Sequence, residues 1–315
     1  MRFLDADAVR AALPMPALLD AVEAAYRDAA MGRDHSPVRS RVALPAGDLL
    51  LMPGVREGAT GASVKLVTVM PGNPARGLPT IHAIVAWFDA QTGEPLALLD
   101  GATVTAMRTG AASGVGARLM ARPDASVLAV FGVGAQAPWQ VRAVMAARPI
   151  GELRVYARRP GPRADFAQAM VAELGPDVRV VDAPSAEAAV RGADVICCAT
   201  TSLEPVFDAD WVSPGTHVNG VGAYRLDMRE LPSGIFARAG CVAVDERSAA
   251  LEEAGDLVAA INSGDLAEDG FVEIGSLEPD WASRRDPSAI TVFKSVGLAI
   301  QDVAAAELAV SVPPA

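Results

Sequence analysis

Cysteine, histidine and positive charge are scarce in this chain, and each shortage excludes a class of function. Three cysteines in 315 residues, the adjacent Cys197 and Cys198 and the lone Cys241, give no disulfide framework. All three fall in apolar, strand-like stretches, where a thiol acts as a small buried hydrophobe and a nucleophilic role is disfavoured. With only His35, His82 and His217 beside them, they make a poor zinc set. Basic residues are outnumbered, 27 Lys+Arg against 38 Asp+Glu for a net charge of −11, which disfavours loose attraction to nucleic acid or to an anionic membrane. No apolar run approaches a membrane span, and the start, Met1-Arg2-Phe3-Leu4-Asp5-Ala6-Asp7, turns acidic before a signal-like stretch develops. A cytoplasmic enzyme is expected.

What is present is a length of 315 residues, enough for two domains and a large core, and a hydrophobic fraction of 51% that excludes a disordered chain. The most informative stretch is Gly132-Val133-Gly134-Ala135-Gln136-Ala137, because it follows the apolar run Ser126 to Val130 and opens a helical segment, Gln136 to Ala147. In a βαβ unit the first glycine permits the tight turn, the second lets backbone approach a pyrophosphate, and the small third residue lets helix pack on strand. Free N–H groups at the helix start then hold the phosphates. Further strands are expected at 153–156, 178–181, 194–199, 216–220 and 241–245, alternating with helices, which means a parallel sheet covered on both faces. After the second of these strands the chain reads Ala157-Arg158-Arg159 with no acid at the strand end. Two arginines there suit a 2′-phosphate, so NADP(H) is favoured and NAD(H) remains open. Solvated loop charges are the competing reading of the pair.

Before this unit, residues 5–31 predict a short helix, a turn and a helix Met15 to Met31, with Pro16 in its first turn. Closely spaced strands at 38–44, 49–52, 63–69, 80–89 and 95–100 predict a largely antiparallel sheet. A small-residue helix over 103–121 leads to a linker at Arg122-Pro123-Asp124. Beyond Thr291 to Lys294, a helix over 295–309 has no role in a completed six-strand sheet and is expected to return to the first domain. The fold class is therefore α/β, a Rossmann-type parallel sheet domain (123–293) plus a second α/β domain from both chain ends (1–122 and 294–315).

Three basic residues stand where charge is least expected: Arg39 in a strand candidate, Lys65 within Ser63-Val64-Lys65-Leu66-Val67, and Arg108 within Ala106-Met107-Arg108-Thr109-Gly110. Buried cations need an anion, and three converging ones make a carboxylate pocket. A lysine in a partly apolar pocket can also exchange protons. Each has a bland alternative: Lys65 on the solvent face of its strand, Arg39 paired with a nearby acid, Arg108 capping a helix. Arg41 competes with Arg39, two residues away on the same face. His82 reads as a hydrogen-bonded core histidine, and Asp227, Arg229 and Glu230 as a helix N-terminal cluster with ion pairs.

Taken in order, Leu51-Met52-Pro53-Gly54, Lys65, Gly77-Leu78-Pro79-Thr80-Ile81-His82, Thr92-Gly93-Glu94-Pro95, Met107-Arg108-Thr109-Gly110, the Gly132 to Ala137 loop, Glu253-Ala254-Gly255-Asp256 and Phe293-Lys294-Ser295 resemble the ornithine cyclodeaminase and mu-crystallin family over nearly the whole chain. The resemblance implies a Rossmann domain joined to a substrate and dimerisation domain, hence a homodimer. It assigns Arg39, Met52, Lys65 and Arg108 to the substrate, with Lys65 and Arg108 catalytic. It assigns Thr109, Gly132, Gly134, Ala135, Gln136, Arg158, Arg159, Thr200 and Val221 to the cofactor. The chain also departs from the pattern: Tyr224 stands where cyclodeaminases carry a catalytic Asp, and Leu50 where they carry a Glu. The implied activity is NAD(P)H-dependent reduction of a small carboxylate-bearing cyclic imine. Alternatives are a cyclodeaminase, an amino-acid or opine-type dehydrogenase of the same family, and a low-turnover ligand binder.

Overall fold

Period-two alternation of buried and open side chains runs through residues 47–100 and builds the first of two sheets in the computed structural model, which describes residues 1–312. The strands are β1 (Arg2–Leu4), β2 (Asp34–His35), β3 (Ser40–Leu44), β4 (Gly47–Arg56), β5 (Gly61–Val69), β6 (Ile81–Asp89) and β7 (Pro95–Asp100). Their order is β1-β7-β6-β5-β4-β2, with β3 also on β4. β1 and β7 run parallel, the other neighbours antiparallel. Register aligns Leu4, Leu99, Val85, Lys65 and Met52 in one buried row across five strands. Helix Ala299–Ser311 packs on β4, β5 and β6 and against helix Met15–Ala30, which closes this face. Gly54 allows the approach, since a Cβ there would lie 3.1 Å from Val303 Cγ2 and 3.2 Å from Ala299 Cβ.

The opposite face of the sheet is open. His82 lies on it and is exposed, so the expected core histidine is corrected: its strand alternates, and the even-numbered side chains face outward. Arg39 precedes β3 instead of lying within it, and is half-buried. Arg41 is exposed and paired with Asp48 at 2.7 Å, which removes it from competition with Arg39.

The second sheet contains β8 (Val127–Phe131), β9 (Glu152–Tyr156), β10 (Arg179–Asp182), β11 (Val195–Cys198), β12 (His217–Gly220), β13 (Ala239–Val244), β14 (Val272–Glu273) and β15 (Ile290–Lys294). All run parallel in the order β10-β9-β8-β11-β12-β15-β13-β14, a doubly wound sheet. Thus β15 enters between β12 and β13, and the sheet has eight strands where the sequence suggested six. Leu128, Val130, Leu153, Val155 and Val195 pack with Val141 and Val144 of helix Ala137–Ala147 as its core. Burial pushes the Cys197 thiol up to about 12 and the Cys241 thiol up to about 11, leaving both protonated near neutrality.

The chain divides into Met1–Arg108 with the segment from Leu298 on, and Thr109–Gly297. The boundaries differ from the expected 122/123 and 293/294; residues 313–315 of the expected segment lie outside the described residues. Helix Gly101–Met120 supplies the first reason, because its later part packs into the parallel-sheet unit: Gly110 abuts Trp139, Gly116 abuts Phe293, and Ala117 joins the core. Asp245 supplies the second. Its Oδ2 accepts from Ser295 Oγ (2.8 Å), Val296 N (2.9 Å) and Gly297 N (2.7 Å), which ties 295–297 to β13 and delays the last helix to Ala299.

Candidate functional site

In the first unit the candidate residues form one buried ionic cluster. Lys65, 1% exposed, occupies the middle of the apolar row on β5, directly opposite Met52. Its Nζ lies 2.6 Å from Asp302 Oδ2 of the C-terminal helix. Arg108 Nε reaches the other oxygen, Asp302 Oδ1, at 3.2 Å, and its Nη1 donates to Gln301 Oε1 at 2.8 Å. Gln301 Nε2 in turn donates to the Tyr26 hydroxyl oxygen. Asp302 and Gln301 are fully buried.

Burial pushes the Lys65 ammonium down to about 7; the charges of Arg108 and, more weakly, Arg39 add to this, while Asp302 opposes it. Lys65 and Arg108 therefore share the one carboxylate of Asp302, and Arg39 lies near enough for its charge to be felt at Lys65. Two buried cations on one carboxylate leave room in the charge balance for an anionic ligand. Beside this cluster, Met52 and Leu50 present apolar side chains on the same face of β4, 2% and 6% exposed.

The cofactor candidates lie in the second unit, at the carboxyl ends of the parallel strands. Register places Tyr156, Phe131, Cys198, Gly220, Lys294 and Val244 in one terminal row. The loops carrying Gly132 to Gln136, Arg158 and Arg159, Thr200, and Val221 all leave this row, and ligands of open α/β sheets bind outside it. Gly132 has φ +96°, and a Cβ there would stand 2.7 Å from Ala199 O. Only glycine fits. Gly134 and Ala135 are exposed, and a Cβ on Gly134 would meet nothing within 4 Å, which leaves its backbone open to a phosphate. Ala137 is fully buried where helix meets strand. Gln136 Oε1 is shut from solvent and has no hydrogen-bond partner among the described residues, an acceptor that a hydroxyl-bearing ligand satisfies. These features fit a dinucleotide.

Arg158 and Arg159 are both exposed, Arg159 immediately before helix Pro160–Leu174. Thr109 is buried, and its carbonyl oxygen accepts from Gln140 Nε2 at 3.4 Å. Thr200 and Val221 are partly open.

The expectation for residues 227–230 is corrected. No helix begins there; Asp227 pairs with Arg225 at 3.0 Å, and Arg229 donates to the carbonyls of Leu226 and Met228. Glu230 is instead fully buried and accepts from the backbone N–H groups of Thr200, Gly222 (2.6 Å) and Ala223 (2.9 Å). Asp302, Gln301, Tyr26 and Glu230 are the residues the sequence reading missed. One signal was available: the chain has two lysines, Lys65 and Lys294, all its other basic residues are arginine, and both lysines are buried against an aspartate.

Among the described residues no cluster suits a metal ion, and no helix is long and apolar enough to cross a membrane. Comparison with known proteins agrees with the fold. A Δ1-pyrroline-2-carboxylate reductase of Bacillus cereus is 37% identical over 311 residues, covering 98% of this chain and 95% of that protein. The structure of the Thermococcus litoralis Δ1-pyrroline-2-carboxylate reductase in complex with NADH and L-proline is 34% identical, with a TM-score of 0.91 over 98% of this chain and 96% of that one. An archaeal alanine dehydrogenase dimer with bound NAD, also 34% identical, gives 0.88 over 98% and 95%. The model of the ornithine cyclodeaminase/mu-crystallin family matches residues 2–311, and the chain belongs to that family.

Proposed function

We propose that this chain is an NAD(P)H-dependent reductase of cyclic imino acids, converting Δ1-pyrroline-2-carboxylate or Δ1-piperideine-2-carboxylate to proline or pipecolate. The observation that carries the reading is the buried Lys65–Arg108–Asp302 cluster, two cations on one carboxylate, with the apolar side chains of Leu50 and Met52 on the neighbouring strand. Arg108 and Arg39 hold the substrate carboxylate. Neither bond from Arg108 to Asp302 or Gln301 uses Nη2, so the guanidinium keeps donors for a ligand. Lys65, poised near neutrality, gives a proton to the imine nitrogen and is reprotonated from solvent. The dinucleotide, when bound, supplies the hydride. The Gly132 to Gln136 loop, Thr109, Thr200 and Val221 hold it, and Arg158 with Arg159 favour a 2′-phosphate and hence NADP(H).

The chain acts as a homodimer in this proposal. Pro53, Val64, Ala86, Leu98 and Phe3 align across the open face of the first sheet, and Leu51, Leu66 and Ile84 form the next row. Phe3 is 78% exposed and Ile84 46%, an apolar face suited to a second copy.

The test is a panel of cyclic imines with NADPH and NADH at mildly acidic pH, reading cofactor oxidation and the amino acid formed. Equimolar proline or pipecolate supports the proposal. An obligatory requirement for free ammonium and an open-chain oxo acid makes the protein an amino-acid dehydrogenase, and tight cofactor binding without turnover makes it a ligand binder.

A further inference from the structure

We infer that Glu230 is a positioning residue for the cofactor, fixing the peptide planes of the loops after β11 and β12 so that their carbonyls face outward from the sheet ends. The inference rests on the cofactor reading of those loops.

Thr200, Gly222 and Ala223 lie outside any helix or strand, so their N–H groups have no ladder to satisfy them. A single carboxylate takes all three. In a trans peptide the C=O points opposite to the N–H. The Val221 carbonyl, which shares a plane with Gly222 N, is therefore turned away from Glu230, and so is the Ala199 carbonyl. The latter meets the Gly132 turn, where a Cβ would come within 2.7 Å of it. Gly222 admits no side chain, because a Cβ would lie 2.2 Å from Thr200 O and 2.6 Å from Glu230 Oε1.

Glu230 is itself held. Its N–H and that of Leu231 donate to Asp256 Oδ1 at 2.6 and 3.0 Å. Asp256 Oδ2 pairs with Lys294 Nζ at 2.9 Å, and Lys294 donates to the Ala223 carbonyl at 2.6 Å, closing a ring on the same loop. Glu230, Asp256 and Lys294 are all fully buried. Burying three charged groups carries a desolvation penalty that an apolar filling would not, and their hydrogen bonds to loop backbone point to a geometric task. An outward carbonyl at Val221 suits a ligand amide N–H, and the nicotinamide end of the cofactor carries one on its carboxamide.

The experiment compares wild type with Glu230→Gln, whose amide nitrogen would oppose backbone donors. Three readouts are taken: NADPH affinity by fluorescence titration, the imine KM at saturating cofactor, and rates with the 3-acetylpyridine analogue, which lacks the amide donor. The variant is expected to bind NADPH about tenfold or more weakly, in keeping with one or two lost buried hydrogen bonds. Imine KM should hold within about twofold, as expected when a bond to a different ligand is lost. Wild-type preference for the carboxamide over the acetyl cofactor should collapse. Unchanged NADPH affinity and preference, whatever the Tm, overturns the inference. Should Glu230→Gln fail to fold, the Asp256→Asn/Lys294→Met double variant removes the buried pair without changing net charge. The same collapse is expected there, and retained preference in that folded protein overturns it. A wild type that binds no dinucleotide overturns the cofactor reading as well, so the two failures are distinct.

Discussion

Asp302 Oδ2 lies 2.6 Å from Lys65 Nζ with both side chains closed to solvent, so a residue of the last helix helps to hold a proton on a strand residue of the first sheet against burial and the charge of Arg108. In the direction of imine reduction Lys65 must carry its proton. Its ammonium titrates at about 7, so kcat/KM is expected to be high below that pH and to fall as pH rises through it. Asp302 raises the Lys65 value, and Asp302→Asn therefore moves this limb to lower pH. Lys65→Met should cost roughly 10²–10⁴ in kcat while leaving NADPH affinity unchanged, and Lys65→Arg should not restore turnover, because a guanidinium does not release its proton. A pH–rate limb that stays in place in Asp302→Asn refutes the proton-donor role.

How much of this was legible beforehand depends on the range of each interaction. The cofactor loop was readable because Gly132, Gly134 and Ala137 act on neighbours in sequence, and Lys65 and Arg108 stood out as charges among apolar residues. Asp302 sits in an equally apolar stretch, Ala299-Ile300-Gln301-Asp302-Val303, and the same rule applied there would have found it. Its partner Arg108 is 194 positions away, so no local pattern announces the pair. Glu230 was misassigned because a carboxylate among Asp227 and Arg229 looks like surface charge until the chain folds it inward. His82 failed for a different reason: alternation shows two faces but not which one is covered.

Cofactor choice follows from the loop after β9. Replacing Arg158 and Arg159 together with Ala should lower NADPH efficiency by about tenfold or more and leave NADH nearly unaffected, since charge-assisted phosphate contacts contribute on the order of 1–3 kcal/mol. Both side chains are exposed, so stability should not change. Equal efficiency with the two cofactors in the unmodified protein is the result that defeats the NADP(H) preference.

The open sheet face gives an assembly prediction. Leu66 and Ile84 are direct cross-strand partners on it, 36% and 46% exposed. Leu66→Glu/Ile84→Glu places two like charges on the proposed contact and should convert the dimer to monomer in light scattering. The fold should persist, because neither side chain enters the buried row. A dimer that survives the change assigns the contact to another surface.

Ornithine separates this chain from the cyclodeaminases of its family. Such an enzyme must accept a diamine, and the resemblance placed its two carboxylates at the positions held here by Tyr224 and Leu50. Leu50 is buried on the face of β4 that also carries Met52, so the position offers only apolar surface to a substrate held at Lys65. The side-chain ammonium of ornithine then has no counter-charge, and the carboxylate that serves a cyclodeaminase as acid/base is missing, a loss of roughly 10²–10⁴ for proton transfer alone. No measurable release of ammonia from ornithine is expected, alongside ready reduction of a cyclic imino acid by the same preparation. Tyr224→Asp restores one carboxylate and should yield at most trace activity, because Leu50 still lacks the second. Robust ammonia release from ornithine by the unmodified protein would mean that the acid/base carboxylate lies elsewhere and that the protein is a cyclodeaminase.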